Sequence, residues 1–171
     1  RERKDKSVSA QDALGRDLRP LTTRSRTGVR GDIEFESRGG LRARLRADYV
    51  HVAHDSWLPA VQGYLLGAEL RWRPIPAVTL VASFCAYYSD NWDARLYRFE
   101  QDVRGVMRST ACDGEGVRSY FLAVANISER LALSGRYALT VRDGERDIGA
   151  GRDAIEGDRL GTISLQVDWN Y

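Results

Sequence analysis

The chain has 171 residues, one domain of ordinary size and too short for two comfortable ones. At 29% charged and 9% aromatic it is too charged for a helical membrane protein and too aromatic for a disordered tail. No stretch approaches eighteen consecutive apolar residues, which excludes a transmembrane helix.

The net charge of +2 hides an asymmetry: residues 1–30 carry nine basic and four acidic side chains, the remainder 17 against 20. Residues 1–26 therefore read as a basic polar arm or external loop, able to touch phosphate but plainly explained as a solvated lead-in. The chain opens Arg1-Glu2-Arg3-Lys4 without Met, and reads as a processed chain or a fragment. From residue 27 onward the dominant signal is alternation with period two. Thr27–Glu36 sets Val29, Ile33 and Phe35 against Arg30, Asp32, Glu34 and Glu36. Leu41–Val52 sets Leu41, Ala43, Leu45, Ala47 and Tyr49 against Arg42, Arg44, Arg46 and Asp48. Gly63–Arg73 places Tyr64, Leu66, Ala68, Leu70 and Trp72 opposite Glu69, Arg71 and Arg73. Val78–Ser89 and Val117–Ile127 are strands with a more apolar second face. Leu131–Val141 alternates again, and Leu160–Tyr171 alternates throughout.

The connections differ in length. Ser37–Gly40, Pro74–Pro76 and Asn126–Arg130 are tight turns, with Gly, Pro and Asn where a reversal needs them. His51–Gln62, Asp90–Gly116 and Asp143–Arg159 are long and polar. Short turns at one end and long loops at the other match an antiparallel barrel standing in an outer membrane. Strands of about ten to twelve residues fit a tilted bilayer crossing better than the five or six usual in soluble sheets. Tyr49, Tyr64, Trp72, Tyr88, Tyr137, Trp169 and Tyr171 are expected near strand ends on the apolar face, where a membrane girdle places amphipathic rings. A lipid-facing charge costs about 2–4 kcal/mol near the midplane. In a barrel, Arg30, Asp32, Glu34, Arg42, Arg44, Arg46, Asp48, Glu69, Arg71 and Arg73 must therefore line the lumen.

Seven strands are clear, and Arg95–Met107 is an eighth candidate in which Tyr97, Phe99, Val103 and Met107 share a face. If it spans, eight strands close into a small barrel. If it is a hairpin inside one long external loop, every tight turn falls on one side. The chain is then the C-terminal part of a larger barrel, and we favour that arrangement.

The run Ile163-x-Leu165-x-Val167-x-Trp169-x-Tyr171 resembles the signature closing outer-membrane β-barrels, which the barrel-assembly machinery recognises. Residues 64–171 also resemble the C-terminal barrel region of large proteins carrying N-terminal competence-type helix-hairpin-helix motifs. The segments that carry this likeness are Asp93–Val103, Gly114–Tyr120 and Ile148–Asp158. The helix-hairpin-helix part is absent from this sequence, so its DNA binding does not transfer, and the resemblance supplies no catalytic residue.

Other constellations are weaker. His51 and His54, spaced HxxH at the head of a loop, do not stack on one face as an i, i+4 helical pair would. Ser56 and Ser109 lie outside any nucleophile elbow. Gly149-x-Gly151-x-Asp153 mimics half of a calcium-binding repeat, although a flexible acidic loop is the simpler reading. Cys85 and Cys112 permit one disulfide in an oxidising compartment.

The expectation is an all-β antiparallel transmembrane-type barrel of seven or eight long strands at residues 27–171, porin-like, in the outer membrane of a Gram-negative cell. Its expected role is structural, anchoring or solute passage, without catalysis, cofactor or metal. Its expected partners are the lipid bilayer and the barrel-assembly machinery, with lipopolysaccharide or an upstream segment of the same protein, and not nucleic acid. A soluble β-barrel small-molecule binder and an outer-membrane hydrolase are the alternatives.

Overall fold

The computed structural model describes residues 2–6, 10–11, 17–18, 21–54, 59–144, 147–148 and 155–169, with side chains described over 24–54, 59–144 and 156–169. Its strands in chain order are β1 Glu2–Lys6, β2 Ala10–Gln11, β3 Asp17–Leu18, β4 Leu21–Glu36, β5 Leu41–His54, β6 Val61–Ile75 and β7 Val78–Ser89. They continue with β8 Leu96–Glu100, β9 Arg108–Cys112, β10 Glu115–Asn126, β11 Leu131–Arg142, β12 Asp147–Ile148, β13 Ile155–Glu156 and β14 Arg159–Trp169. Eight of them form one sheet in the order β1-β4-β5-β6-β7-β10-β11-β14, and each neighbouring pair is antiparallel. Among the described residues β1 and β14 do not pair with each other, and no closed barrel is seen.

The alternation read from sequence sets these strands. The seven long members run from 11 residues in β14 to 16 in β4, roughly twice the usual strand length. The first of them begins at Leu21, earlier than the expected Thr27, and Glu2–Lys6 pairs with its opening residues Leu21–Ser25. At the other end, β5 continues to His54, so both histidines sit on a strand rather than at the head of a loop.

Arg95–Met107 is not a strand of the eight-stranded sheet. It divides into β8 and a turn leading to β9, and these two pair only with each other, from Leu96↔Cys112 to Glu100↔Arg108. The apparent face breaks because Val103 is buried while Tyr97, Phe99 and Met107 are exposed. Asp102 closes the turn locally by accepting the Val103 N–H at 2.8 Å and Arg108 Nε at 2.5 Å, with Gly105 at φ 76 beyond it.

The hairpin folds back over one face of the sheet. Its Leu96, Arg98 and Glu100 side is buried and its Tyr97 and Phe99 side exposed. Gly63 on β6 permits the close approach, since a Cβ there would lie 2.4 Å from the Ala94 carbonyl oxygen. We call this the covered face.

The opposite, open face is apolar. Ile33, Leu45, Leu66, Phe84, Phe121, Ile163 and Leu165 all point away from the covered face, and Leu165 is 81% exposed. One ladder row crosses all seven long strands: Phe35, Ala43, Leu70, Ala82, Phe121, Tyr137 and Ile163. From this row the apolar residues of β4 extend six positions toward the long loops, to Val29. Those of β14 extend six positions the other way, to Trp169. The apolar band therefore slips by about 20 Å along the strands while crossing six strand gaps, about 29 Å. That is an obliquity of about 35°.

Candidate functional site: the charged covered face

By ladder parity Arg30, Asp32, Glu34, Arg42, Arg44, Arg46, Asp48, Glu69 and Arg71 share the covered side of the sheet, and the register brings opposite signs together. Asp48 accepts from Arg30 Nε at 2.5 Å and from Arg46 Nε at 2.6 Å. Asp32 accepts from Arg44 at 2.8 Å, and Glu34 accepts from Arg42 at 2.5 Å with Arg44 at 3.4 Å. Glu69 accepts from Gln101 at 2.8 Å and from the Tyr120 hydroxyl at 2.7 Å. Arg71 keeps a buried Nε without a hydrogen-bond partner, and Arg73 stays exposed beside a bulge between Trp72 and Ile75.

The densest chemistry lies where the hairpin meets the sheet, and sequence reading missed most of it. Glu100, 1% exposed, accepts two hydrogen bonds from Arg118, at 2.5 and 2.9 Å, and one from Arg136. Arg136 also donates to the Gln101 carbonyl at 3.1 Å and lies 4.8 Å over the Tyr120 ring. Arg98 donates to Ser83, which donates to the Ala68 carbonyl at 3.0 Å. The available signal was Arg118 near the start of β10 and Arg136 in the middle of β11, together with a carboxylate three residues before a turn. A buried arginine inside a sheet requires a partner, and Glu100 provides it.

Asp102 has the same character. Burial pushes its carboxyl upward, but the hydrogen bonds from Arg108 and the Val103 N–H, with the charges of Arg136 and Arg108, outweigh that and hold it below the usual carboxylate range.

The hairpin segment reaches every long strand. Arg24 pairs with Asp93 at 2.5 Å, and Arg26 donates to the Asp93 and Arg95 carbonyls. Arg46 donates to the Tyr97 carbonyl at 3.2 Å, and Gln166 on β14 donates to the Arg104 carbonyl at 3.1 Å. Glu69, Ser83, Arg118 and Arg136 supply the contacts from β6, β7, β10 and β11. Between the hairpin and β5–β6 the hollow lined by Arg44, Arg46, Glu69 and Arg98 has about 30 Å³, room for about one water. The larger hollow, about 620 Å³, lies on the open apolar face among Ile33, Leu45, Leu66 and Phe84.

The two histidines diverge. His51 is exposed on the open face, while His54 turns to the covered face with Nε2 3.6 Å from Asp93. Ser109 is exposed on β9, far in the chain from either. Ser56, the Gly149–Asp153 motif and Tyr171 lie outside the described residues. Of the assembly signature, Ile163, Leu165, Val167 and Trp169 all project from the open face of β14. Of the girdle aromatics, Tyr49, Tyr64 and Tyr88 share one row near the loop ends, with Tyr64 and Tyr88 stacked at 5.2 Å, and Trp72 lies near the opposite end of β6. Tyr137 instead falls in the middle of β11, in the row that crosses all seven long strands.

No protein-family model matches this chain, and no curated protein or solved structure matches it.

Proposed function

We propose that this chain forms wall of an outer-membrane β-barrel, with its open face against lipid and its charged face toward a lumen occupied by the β8–β9 hairpin. Its role is structural, anchoring or restricted solute passage, without catalysis. The observation that carries this reading is the oblique apolar band. Strands of membrane barrels tilt by about 35–45°, so a belt level with the bilayer must cross them at that angle. The belt on this sheet crosses them at about 35°.

Its height agrees. Tyr64 and Trp72 bound the band on β6, eight residues or about 26 Å apart along the strand, which is about 21 Å along the normal at that tilt. Membrane barrels carry an apolar band about 25 Å tall, flanked by aromatic girdles. The long loops and the tight turns fall on opposite edges of the band. A soluble binder would keep its apolar side chains inside, whereas here the covered side holds Glu100, Arg118 and Arg136. In water the open face would be a large exposed apolar patch, of the kind that drives association. With the hairpin across the polar face, anchoring or a narrow charged passage beside Arg42, Arg44 and Glu34 fits better than a wide pore. The barrel-assembly machinery is the partner that the closing strand suggests, and the likeness to helix-hairpin-helix-associated barrels agrees with the same setting.

The test is insertion. Purified chain added to lipid vesicles is expected to float with the lipid and to migrate differently on gels before and after heating. A chain that stays monomeric in buffer without detergent, with no heat-dependent mobility, overturns the reading.

A further inference from the structure

Cys85 lies on the wall strand β7 and Cys112 at the end of hairpin strand β9, and these two strands are in contact. Both thiols are free and essentially inaccessible. They share one apolar cluster with Val50, Leu65, Ala94 and Leu96. Gly67 stands opposite Cys85 across the β6–β7 ladder and leaves space beside it. Beyond the thiols, Ser89 and Gly114 exchange hydrogen bonds at 2.8 and 3.0 Å, which fixes the exit of the hairpin against the top of β7.

We infer that Cys85 and Cys112 are a disulfide site whose closure fastens the hairpin to the wall. The oxidising setting rests on the outer-membrane reading, because disulfides persist outside the reducing cytosol. The oxidant is a small-molecule or protein disulfide. One cysteine thiolate attacks it to form a mixed disulfide and releases a thiolate, which takes up a proton. The second cysteine, as thiolate, then attacks the first sulfur, forming the Cys85–Cys112 bond and releasing the other thiolate. The two protein thiols lose two electrons, and the oxidant becomes two thiols. Either attack requires the hairpin to lift or the chain to be still folding, since neither sulfur is exposed in the folded sheet.

The experiment uses purified full chain folded in detergent, exposed to oxidised glutathione, then denatured and alkylated. The expected result is loss of both free thiols and a mass lower by two hydrogens, with folded gel mobility retained. The variant Cys85→Ser, left with Cys112 alone, is expected to carry that sulfur as a glutathione adduct and to show no loss of two hydrogens. Two alkylatable thiols after oxidation, glutathione adducts on the unmutated chain, or a cross-linked chain that no longer folds would each overturn the proposal. The oxidant is supplied in the tube, so the outcome does not depend on the compartment. Failure of vesicle insertion leaves this result standing, and the reverse holds too.

Discussion

Glu100, on a short hairpin strand, and Arg118, on a long strand of the main sheet, are joined by two hydrogen bonds of 2.5 and 2.9 Å with both side chains almost wholly buried. The pair connects the inserted loop to the sheet at the point where neither partner can turn to water. Removing one member of a buried ion pair typically costs about 3–5 kcal/mol, because the other charge is stranded. Arg136 deepens the dependence, since it shares the same carboxylate and is fully buried.

Glu100→Gln is therefore expected to lower unfolding free energy by about 3 kcal/mol or more. Denaturant titration of the folded chain reads this, and hydrogen exchange in residues 96–112 should rise with it. A loss under about 1 kcal/mol, the scale of an exposed pair, would mean that the hairpin is not held by this contact.

Leu66 offers a test of which medium faces the apolar band. It is 62% exposed and near the middle of the band. In water Leu66→Arg at such a site would change stability by no more than about 0.5 kcal/mol. Facing acyl chains, the same substitution costs about 2–4 kcal/mol. Unfolding of the variant in lipid vesicles separates the two, and the larger value is expected.

Trp72 and Trp92 should differ in their access to lipid. Trp72 projects from the open face near the turn end of β6, whereas Trp92 lies in a short 3-10 turn of the long connection. In chains retaining one tryptophan each, brominated acyl chains are expected to quench Trp72 strongly and Trp92 weakly. Equal quenching would contradict the assignment of the band.

Acid should loosen the hairpin turn through Asp102. Its folded pKa is held down, so its stabilising contribution is full above the unfolded carboxylate value, about 3.9, and fades as pH falls through the lower folded value. The turn is thus weakened below about pH 4. Asp102→Asn is expected to be less stable than the unmutated chain at neutral pH, with the gap closing as pH drops into that range. Parallel unfolding curves at several pH values check this, and a gap independent of pH would refute the role.

Much of the architecture was legible before any coordinates. Long period-two runs require sheet, because only a pleated strand separates Leu45, Ala47 and Tyr49 from Arg44, Arg46 and Asp48 onto opposite sides. Turn residues fixed where the strands reverse, and antiparallel order follows from such short connections. The pairing of Asp48 with Arg30 and of Glu34 with Arg42 follows from the same register once neighbours are assigned.

Arg95–Met107 was different: its spacing fitted a spanning strand as well as a hairpin. The choice depended on contacts between residues far apart in the chain. Glu100 meets Arg118 and Arg136, Asp93 meets Arg24, and Cys112 joins Cys85 in one buried cluster. Such meetings leave no local period. They depend on how strands from Leu21 to Trp169 assemble around one loop. Local alternation alone set strand identity and facing, because backbone geometry acts between adjacent residues. The assembled sheet alone decided what the loop covers, because burial of a charge is a property of everything packed around it.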